Sequence, residues 1–172
     1  MTEAPEIGFA TADDVPALVA LLAELFSQEA DFHPDAEKQR RALDYLLAHP
    51  EAGRLFVLRE AGRVIGMANA LCSVSTAEGG PVLMLEDVIV AAHARGRGLG
   101  GQLIAHVLQW AQREGFLRVT LLTDGANAGA QGFYQACGFS RSGMVLYRLG
   151  LHLSGVEPAL EGESIRSLKM RG

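Results

Sequence analysis

The feature that most restricts the folding of this chain is a buried apolar strand, which runs into a glycine-rich turn and then into an amphipathic helix. Residues 82–90 are nearly all apolar, and only Glu86 and Asp87 interrupt them. Such a run is typical of a strand buried on both faces, where acidic side chains need a specific reason to be present. Three glycines lie in residues 91–100, and apolar residues then recur at helical spacing up to Gly115. The pattern predicts a strand–turn–helix unit.

The segments on either side of this unit alternate between helical and strand periodicity. Thr11 and Asp14 have the spacing of a capping box, and Asp35 is placed to cap a second helix that ends at Pro50. The remaining predicted elements are strands at 7–10, 54–59, 64–74, 119–123 and 144–151, and a helix at 127–137. This order predicts an α/β fold of the α+β type, with a mixed, mostly antiparallel central sheet flanked by helices.

One domain accounts for the chain of 172 residues. We expect the domain to cover residues 1–151, with 152–172 as a C-terminal tail or edge addition. The sequence has no secretory pattern and no long apolar run, so it predicts a cytoplasmic protein that does not enter a membrane. The histidines and the two cysteines do not have metal-ligand spacing, and we expect no metal site.

Charge is distributed unevenly along the chain, whose formal net charge is −5. Residues 1–60 hold twelve acidic and five basic residues, whereas residues 91–148 hold two acidic and six basic ones. The acidic total argues against a sequence-blind nucleic-acid binder, which would carry net positive charge. The division indicates two ligands of opposite charge, or one ligand with two different ends.

The glycine-rich turn has two interpretations. Gly96, Gly98 and Gly101 satisfy the GxGxxG fingerprint of nicotinamide-dinucleotide enzymes. The turn is long for that motif, however, and too few residues follow it for the remaining βα units of a dinucleotide domain. In the other interpretation, Arg95, Gly98 and Gly100 form a cradle in which the N–H groups of the next helix point at a pyrophosphate.

Three segments in this order resemble the GCN5-related N-acetyltransferases. They are Leu85-Glu-Asp-Val-Ile-Val90, then Arg95-Gly-Arg-Gly-Leu-Gly100, and then the stretch from Asn127 to Phe139. The resemblance implies an acyl-CoA N-acyltransferase fold and an enzyme that uses acetyl-CoA. It also implies a set of cofactor-binding residues, namely Val88, Ile89, Val90, Arg95, Gly96, Arg97, Gly98, Leu99, Gly100, Asn127 and Tyr134.

The chemistry of amide formation points to candidate catalytic residues. An alkylamine is protonated at neutral pH, so a base has to remove a proton before the nitrogen can attack. Glu86 is the first candidate and Asp87 the second, and strict strand alternation would place them on opposite faces. Tyr134, which matches a catalytic position of the family, can donate a proton to the departing thiolate. The Val88 N–H is placed to stabilise the oxyanion.

The connection between the first two helices is the predicted acceptor side. Glu29, Asp31 and Phe32 lie there, and the acidic pair favours a cationic amine of a small molecule or peptide. The prediction is therefore an acetyltransferase that works by direct transfer in a ternary complex, with a homodimer left open. A non-catalytic acyl-CoA-binding module and a nicotinamide-dinucleotide enzyme are the alternatives.

Overall fold

The computed structural model of this chain describes residues 4–28 and 33–151, which form five strands and four α-helices. All but one of the predicted elements are present, and their ends differ from the prediction by no more than two residues. The strands are β1 (Glu6–Phe9), β2 (Gly53–Glu60), β3 (Arg63–Ser75), β4 (Gly80–Val90) and β5 (Val119–Leu121), and the helices are α1 (Val15–Phe26), α2 (Ala36–Ala48), α3 (Leu99–Arg113) and α4 (Ala128–Ala136).

The five strands form one sheet in the order β1-β2-β3-β4-β5. Each of the first three pairings is antiparallel, and β4 pairs with β5 in parallel. The parallel pair is joined through α3, because parallel neighbours need a crossover connection. This mixed, mostly antiparallel sheet flanked by helices confirms the predicted fold class.

Side-chain caps begin the first two helices, as predicted. The Thr11 N–H donates to Asp14 Oδ2 at 2.7 Å in a capping box, and a single 3₁₀ turn then leads into α1. Asp14 Oδ2 also accepts from Arg59 Nη2 of β2 at 2.6 Å, so one carboxylate ties this turn to the sheet. At the start of α2, Asp35 Oδ1 accepts from the Lys38 N–H at 3.1 Å. Both caps satisfy N–H groups that a helix start leaves unpaired.

Helices cover both faces of the sheet. Alternate residues of β2 divide between two apolar layers, because successive side chains of a strand point to opposite faces. Leu55 and Val57 pack with α1 and α2 in one layer, which we call the α1/α2 layer. Phe56 packs with α3 in the other, which we call the α3 layer. The sheet is therefore buried on both sides where β2, β3 and β4 run together.

A β-bulge interrupts β4 at its two acidic residues. Ala68 pairs with Val88 and Ala70 pairs with Leu85, so Glu86 and Asp87 together lie opposite Asn69. The extra residue shifts the alternation by one, so that Leu85 and Val88 both pack in the α3 layer. Bulges of this kind redirect side chains and are common beside active sites. Strict alternation through Glu86 and Asp87 does not hold here.

The prediction of a strand at 144–151 is wrong. Residues 141–151 carry no helix or strand, and Met144 and Tyr147 are about nine-tenths exposed. Apolar content predicted a strand, but a strand forms only where another strand supplies hydrogen-bond partners. The chain divides into two compact units, residues 1–140 and 141–172, and positions 152–172 lie outside the described residues. Within the described ranges, every helix is too short or too polar to cross a membrane.

Candidate active site

Strands β4 and β5 separate partway along β4. Their parallel pairing ends at Leu85 with Leu121, while β4 continues to Val90 beside β3. Among the described residues, no strand pairs with the last part of β4 on the side away from β3. This side, which we call the open side of β4, presents main-chain hydrogen-bonding groups that the sheet does not use.

The pairing pattern identifies which groups face the open side. The Ala91 N–H donates to the Ile65 carbonyl at 2.8 Å, which sets the alternation of the antiparallel ladder. By that alternation Ile89 turns its N–H and C=O toward β3, whereas Val88 and Val90 turn theirs away from it. Of the three predicted strand residues, Val88 therefore offers its N–H and C=O to a ligand, and Val90 offers its N–H, because its C=O accepts a hydrogen bond from Arg95 Nε. Ile89 packs its side chain in the α1/α2 layer.

The glycine-rich turn follows β4 and leads into the N-terminus of α3. Gly96 and Gly98 both have φ of +74°, a left-handed conformation that L-residues with a side chain rarely adopt. No side chain caps the helix, and the first ladder bond of α3 runs from Gln102 N–H to Gly98 O at 3.2 Å. The N–H groups of residues 99–101 thus have no partner within the helix, and such a terminus suits an anion such as pyrophosphate.

Close packing joins the start of α3 to α4. A Cβ added at Gly100 would lie 3.3 Å from Phe133 Cζ, which is tighter than nine in ten real Cβ contacts. Phe133 packs against the α3 layer, as expected for a core aromatic. A side chain at position 100 would therefore require the Phe133 ring to shift by a few tenths of an ångström.

Both arginines of the turn form ion pairs with distant carboxylates. Arg95 Nη2 lies 2.5 Å from Glu24 Oε1 of α1, and its Nε donates to the Val90 carbonyl at 2.8 Å. Arg97 pairs with Glu60 at the end of β2 through two contacts, and this pairing lowers the pKa of Glu60. The arginines thus fix the turn to α1, β2 and β4, a role that the sequence did not predict.

The two candidate bases differ in environment. Glu86 is exposed, whereas Asp87 is partly buried and accepts a hydrogen bond from Asn69 Nδ2 at 3.1 Å. Burial raises the pKa of Asp87, and the hydrogen bond from Asn69 opposes that rise without cancelling it. Asp87, whose carboxyl has the raised pKa and which directly precedes Val88, is the stronger candidate for proton transfer at neutral pH.

Two further predicted residues lie on α4. Asn127 Oδ1 accepts from the Ala130 N–H at 2.9 Å, so this oxygen caps the helix. Tyr134 is partly buried, and its ring packs edge-on against Phe133 and Phe139, with centroids 5.1 and 6.0 Å away. This packing fixes the orientation of the ring.

The structure brings together one part of the predicted site. Strand β4, the turn and the start of α3 are continuous, and Asp87 lies in the same strand as Val88. The predicted acceptor residues Glu29, Asp31 and Phe32 lie outside the described residues. Sequence analysis missed Asn69, Glu24 and Glu60, which reach the site from other elements.

Three further observations on the described residues concern a cavity, a cysteine thiol and possible metal ligands, and none of them adds to this site. A cavity of about 400 Å³ is bordered by Arg54, Ser73 and Trp110, at the opposite end of β3 and β4 from Val90. Burial raises the pKa of the Cys137 thiol, which does not favour a thiolate nucleophile. Residues 4–28 and 33–151 contain no group of three His, Cys, Asp or Glu side chains suited to a metal ion.

Comparison with known families identifies the class. The model of the acetyltransferase (GNAT) family matches residues 16–139, well over half of the chain. The chain therefore belongs to the GNAT family, and the predicted resemblance is confirmed.

Individual relatives support the same conclusion. The N-acetyltransferase YhfO of Bacillus subtilis (strain 168) is 30% identical over 135 residues, covering 77% of this chain and 91% of YhfO. The aminoglycoside N(6')-acetyltransferase type 1 of Serratia marcescens is 28% identical over 138 residues, covering 78% and 91%. By contrast, the chain spans about half the length of the family 8 N-acetyltransferases of Rattus norvegicus that it matches.

A solved structure shows the same fold. The aminoglycoside N-acetyltransferase AAC(6')-Iy in complex with CoA has a TM-score of 0.74 and 22% identity, and the match covers 87% of this chain and 96% of that one. This likeness confirms the predicted acyl-CoA N-acyltransferase fold.

Proposed function

We propose that this protein transfers an acetyl group from acetyl-CoA to a primary amine of a small molecule or peptide, directly and within a ternary complex. The observation that carries the proposal is the open side of β4, which places unpaired main-chain groups of Val88 beside the partly buried carboxyl of Asp87. Membership of the GNAT family supports the reaction class, and this arrangement supports the assignment of Asp87 and Val88 to the site.

The chain's own groups fit acetyl-CoA at two places. The uncapped N-terminus of α3 and the glycines before it suit the pyrophosphate. The Val88 N–H and C=O and the Val90 N–H on the open side suit the amide-bearing arm, which would pair with β4 as an added strand does. When bound there, acetyl-CoA supplies an acetyl thioester whose carbon–sulfur bond breaks as the carbon–nitrogen bond forms.

Proton transfers assign roles to the surrounding side chains. Asp87, ahead of Glu86, takes one proton from the ammonium group and passes it to solvent. The Val88 N–H donates a hydrogen bond to the acyl oxygen as negative charge develops on it. The Tyr134 hydroxyl gives its proton to the departing sulfur, and the second proton lost by the nitrogen restores the tyrosine. Asn127, whose Oδ1 caps α4, is a further proposed contact of acetyl-CoA, as the family resemblance implies.

The acceptor is proposed to be a cationic amine. Two of the compared proteins are aminoglycoside acetyltransferases by name, and aminoglycosides are polyamines. In this chain Glu29, Asp31 and Phe32 provide acidic and aromatic side chains between the first two helices. Acidic and aromatic side chains attract and bind cations.

A thiol-release assay tests the proposal. Purified protein is mixed with acetyl-CoA and a panel of aminoglycosides, polyamines and peptide amines, and free CoA thiol is measured. We expect release with at least one amine, and a loss of about a hundredfold or more in Asp87→Asn but a smaller loss in Glu86→Gln. Because the two carboxyls are neighbours, each variant is the matched control for the other.

Thermal shifts with acetyl-CoA, CoA and NAD separate the alternatives. Stabilisation by acetyl-CoA without thiol release from any amine would indicate a non-catalytic acyl-CoA-binding module. Stabilisation by NAD and not by CoA would indicate a dinucleotide enzyme, and the proposal would then be wrong.

A further inference from the structure

Asn69 lies where the bulge in β4 is opposed by a single residue of β3. It is 6% exposed, and its Nδ2 donates to Asp87 Oδ2 at 3.1 Å. Asn69 alternates with Ala68 and Ala70, which pack in the α3 layer, so its side chain lies on the α1/α2 side of the sheet. The bulge and this contact together fix the Asp87 carboxyl against Asn69 of β3, one residue before Val88.

The other end of the same amide is buried without a partner. Asn69 Oδ1 makes no hydrogen bond among the described residues, although it is fully shielded from solvent. A buried carbonyl oxygen without a donor costs free energy, and native proteins retain such an atom where it serves a purpose. The missing partner has to be a donor close enough to reach it.

Asp87 becomes a donor when it gains a proton. A carboxylate only accepts hydrogen bonds, whereas a carboxylic acid carries an O–H that needs an acceptor. The amide of Asn69 has a donor at one end and an acceptor at the other, with nearly the same shape. Rotation of the amide by half a turn brings the oxygen to face Asp87 and moves the amino group to the position that the oxygen held.

We propose that Asn69 is a positioning residue for Asp87, whose amide donates to the carboxylate and turns end for end to accept from the carboxylic acid. Asn69 thereby holds the carboxyl in one place both before and after it takes a proton. The consequence for catalysis rests on the proposed function, in which Asp87 removes a proton from the amine.

Other charged groups near β4 do not supply this partner. Burial and the Asn69 hydrogen bond are the causes that shift the pKa of Asp87. The Glu24 carboxylate of α1 is paired with Arg95, and Glu86 is the exposed neighbour in the bulge. The elements packed against β4 carry few other titratable groups, namely Arg63 and Cys72 on β3, and His106 and Arg113 on α3, with none on β5.

The test compares two buried amides that are each left with an unpaired oxygen. Asn69→Leu removes the proposed partner of Asp87, and Gln39→Leu removes the amide of α2 whose Oε1 is also buried and unpartnered. The Asp87 carboxyl is titrated by carbon NMR in the folded wild type and in both variants, with folding checked by circular dichroism. The side-chain amide signals of Asn69 are followed in the wild type through the same titration.

The hydrogen bond to the charged carboxylate is stronger than the one from the neutral acid, so we expect the Asp87 midpoint to move to higher pH in Asn69→Leu and to stay in place in Gln39→Leu. The Asn69 amide signals should change with the same midpoint as the Asp87 carboxyl. An unchanged midpoint in folded Asn69→Leu, or Asn69 signals that ignore the titration, would overturn the proposal. If Asn69→Leu does not fold, the Asn69 amide signals of the wild type still test whether the amide follows the titration of Asp87.

Kinetics supply a second readout if an acceptor amine is found. In Asn69→Leu the acidic limb of the kcat/KM profile should move to higher pH with the Asp87 midpoint, and kcat/KM at neutral pH should fall by about tenfold. The NMR titration needs no acetyl transfer, so failure of the proposed function and failure of this inference give different results.

Discussion

Arg97 and Glu60 form a two-pronged ion pair, with Nη2 2.5 Å from Oε1 and Nη1 3.2 Å from Oε2. The guanidinium fork that matches a carboxylate also matches a phosphate. In this structure the fork is already occupied, so the positive charge of the turn is locally balanced. A phosphate that uses Arg97 has to displace Glu60.

The first prediction concerns this competition. In Glu60→Gln the carboxylate charge is lost and Arg97 is released, so the Kd for CoA should fall about two- to fivefold. Isothermal titration at low and high salt measures the change, which should be larger at low salt because the pair is partly exposed. Glu78→Gln is the control, since it removes the ordinary surface pair with Arg118 at 3.1 Å. Equal effects of the two substitutions would contradict the prediction.

The second prediction concerns the backbone of the turn. Gly98 has φ of +74°, so Gly98→Ala should lower the free energy of unfolding by roughly 1 kcal/mol. Gly101 lies in the first turn of α3 with open space around its Cα, so Gly101→Ala should raise it by about 0.5 kcal/mol. Urea unfolding measures both. The two substitutions should change the free energy of unfolding in opposite directions. A Gly98→Ala protein that is more stable than the wild type would refute the strain argument.

The third prediction concerns acid stability. Burial acts to raise the pKa of Asp14, but the hydrogen bonds from Thr11 and Arg59 outweigh it and leave the pKa lowered. Stability from a lowered carboxyl pKa is present above the unfolded-state value and is lost as the pH falls through the folded-state value. Asp14→Asn should therefore destabilise the fold by about 1 kcal/mol at pH 7. Below about pH 4 the difference from wild type should shrink.

Urea unfolding at several pH values measures the effect, and the exposed neighbour Asp13 provides the control. Asp13→Asn removes the same charge without either hydrogen bond, so its stability should follow the wild type at each pH. A constant Asp14→Asn deficit from neutral to acidic pH would show that the charge is not the cause.

The fourth prediction concerns Tyr134. Tyr134→Phe keeps the ring that packs on Phe133 and Phe139, so the fold should be retained. Loss of the proton donor should lower kcat by about a hundredfold while the KM for acetyl-CoA changes little. Steady-state thiol release with an accepted amine gives both constants, and Tyr45→Phe on α2 should leave them unchanged. A Tyr134→Phe enzyme with wild-type kcat would remove the tyrosine from the mechanism.

Local features of the sequence predicted local structure well. The capping box of Thr11 and Asp14 and the cap at Asp35 were predictable, because each involves residues within one helical turn. The glycines of the turn were also identified, since a left-handed conformation favours a residue without a side chain.

Features that depend on a distant partner were not predictable. The bulge at Glu86 and Asp87 is set by register with β3, and the pattern of β4 alone does not contain that register. Arg97 and Glu60 are 37 residues apart, and Arg95 and Glu24 are 71 apart, so no spacing rule could pair them. The prediction of a strand at 144–151 failed for a related reason. Apolar content indicates a tendency to form a strand, but it does not show that a neighbouring strand is available to pair with it.

Strand β5 ends at Leu121 while β4 continues to Val90, and the groups left over belong to the main chain. Every residue type other than proline carries the same N–H and C=O. A ligand that pairs with them is recognised by the main chain, whichever side chains occupy those positions. Evolution can then alter the acceptor specificity of such a protein through mutable side chains, while its use of the donor is inherited unchanged.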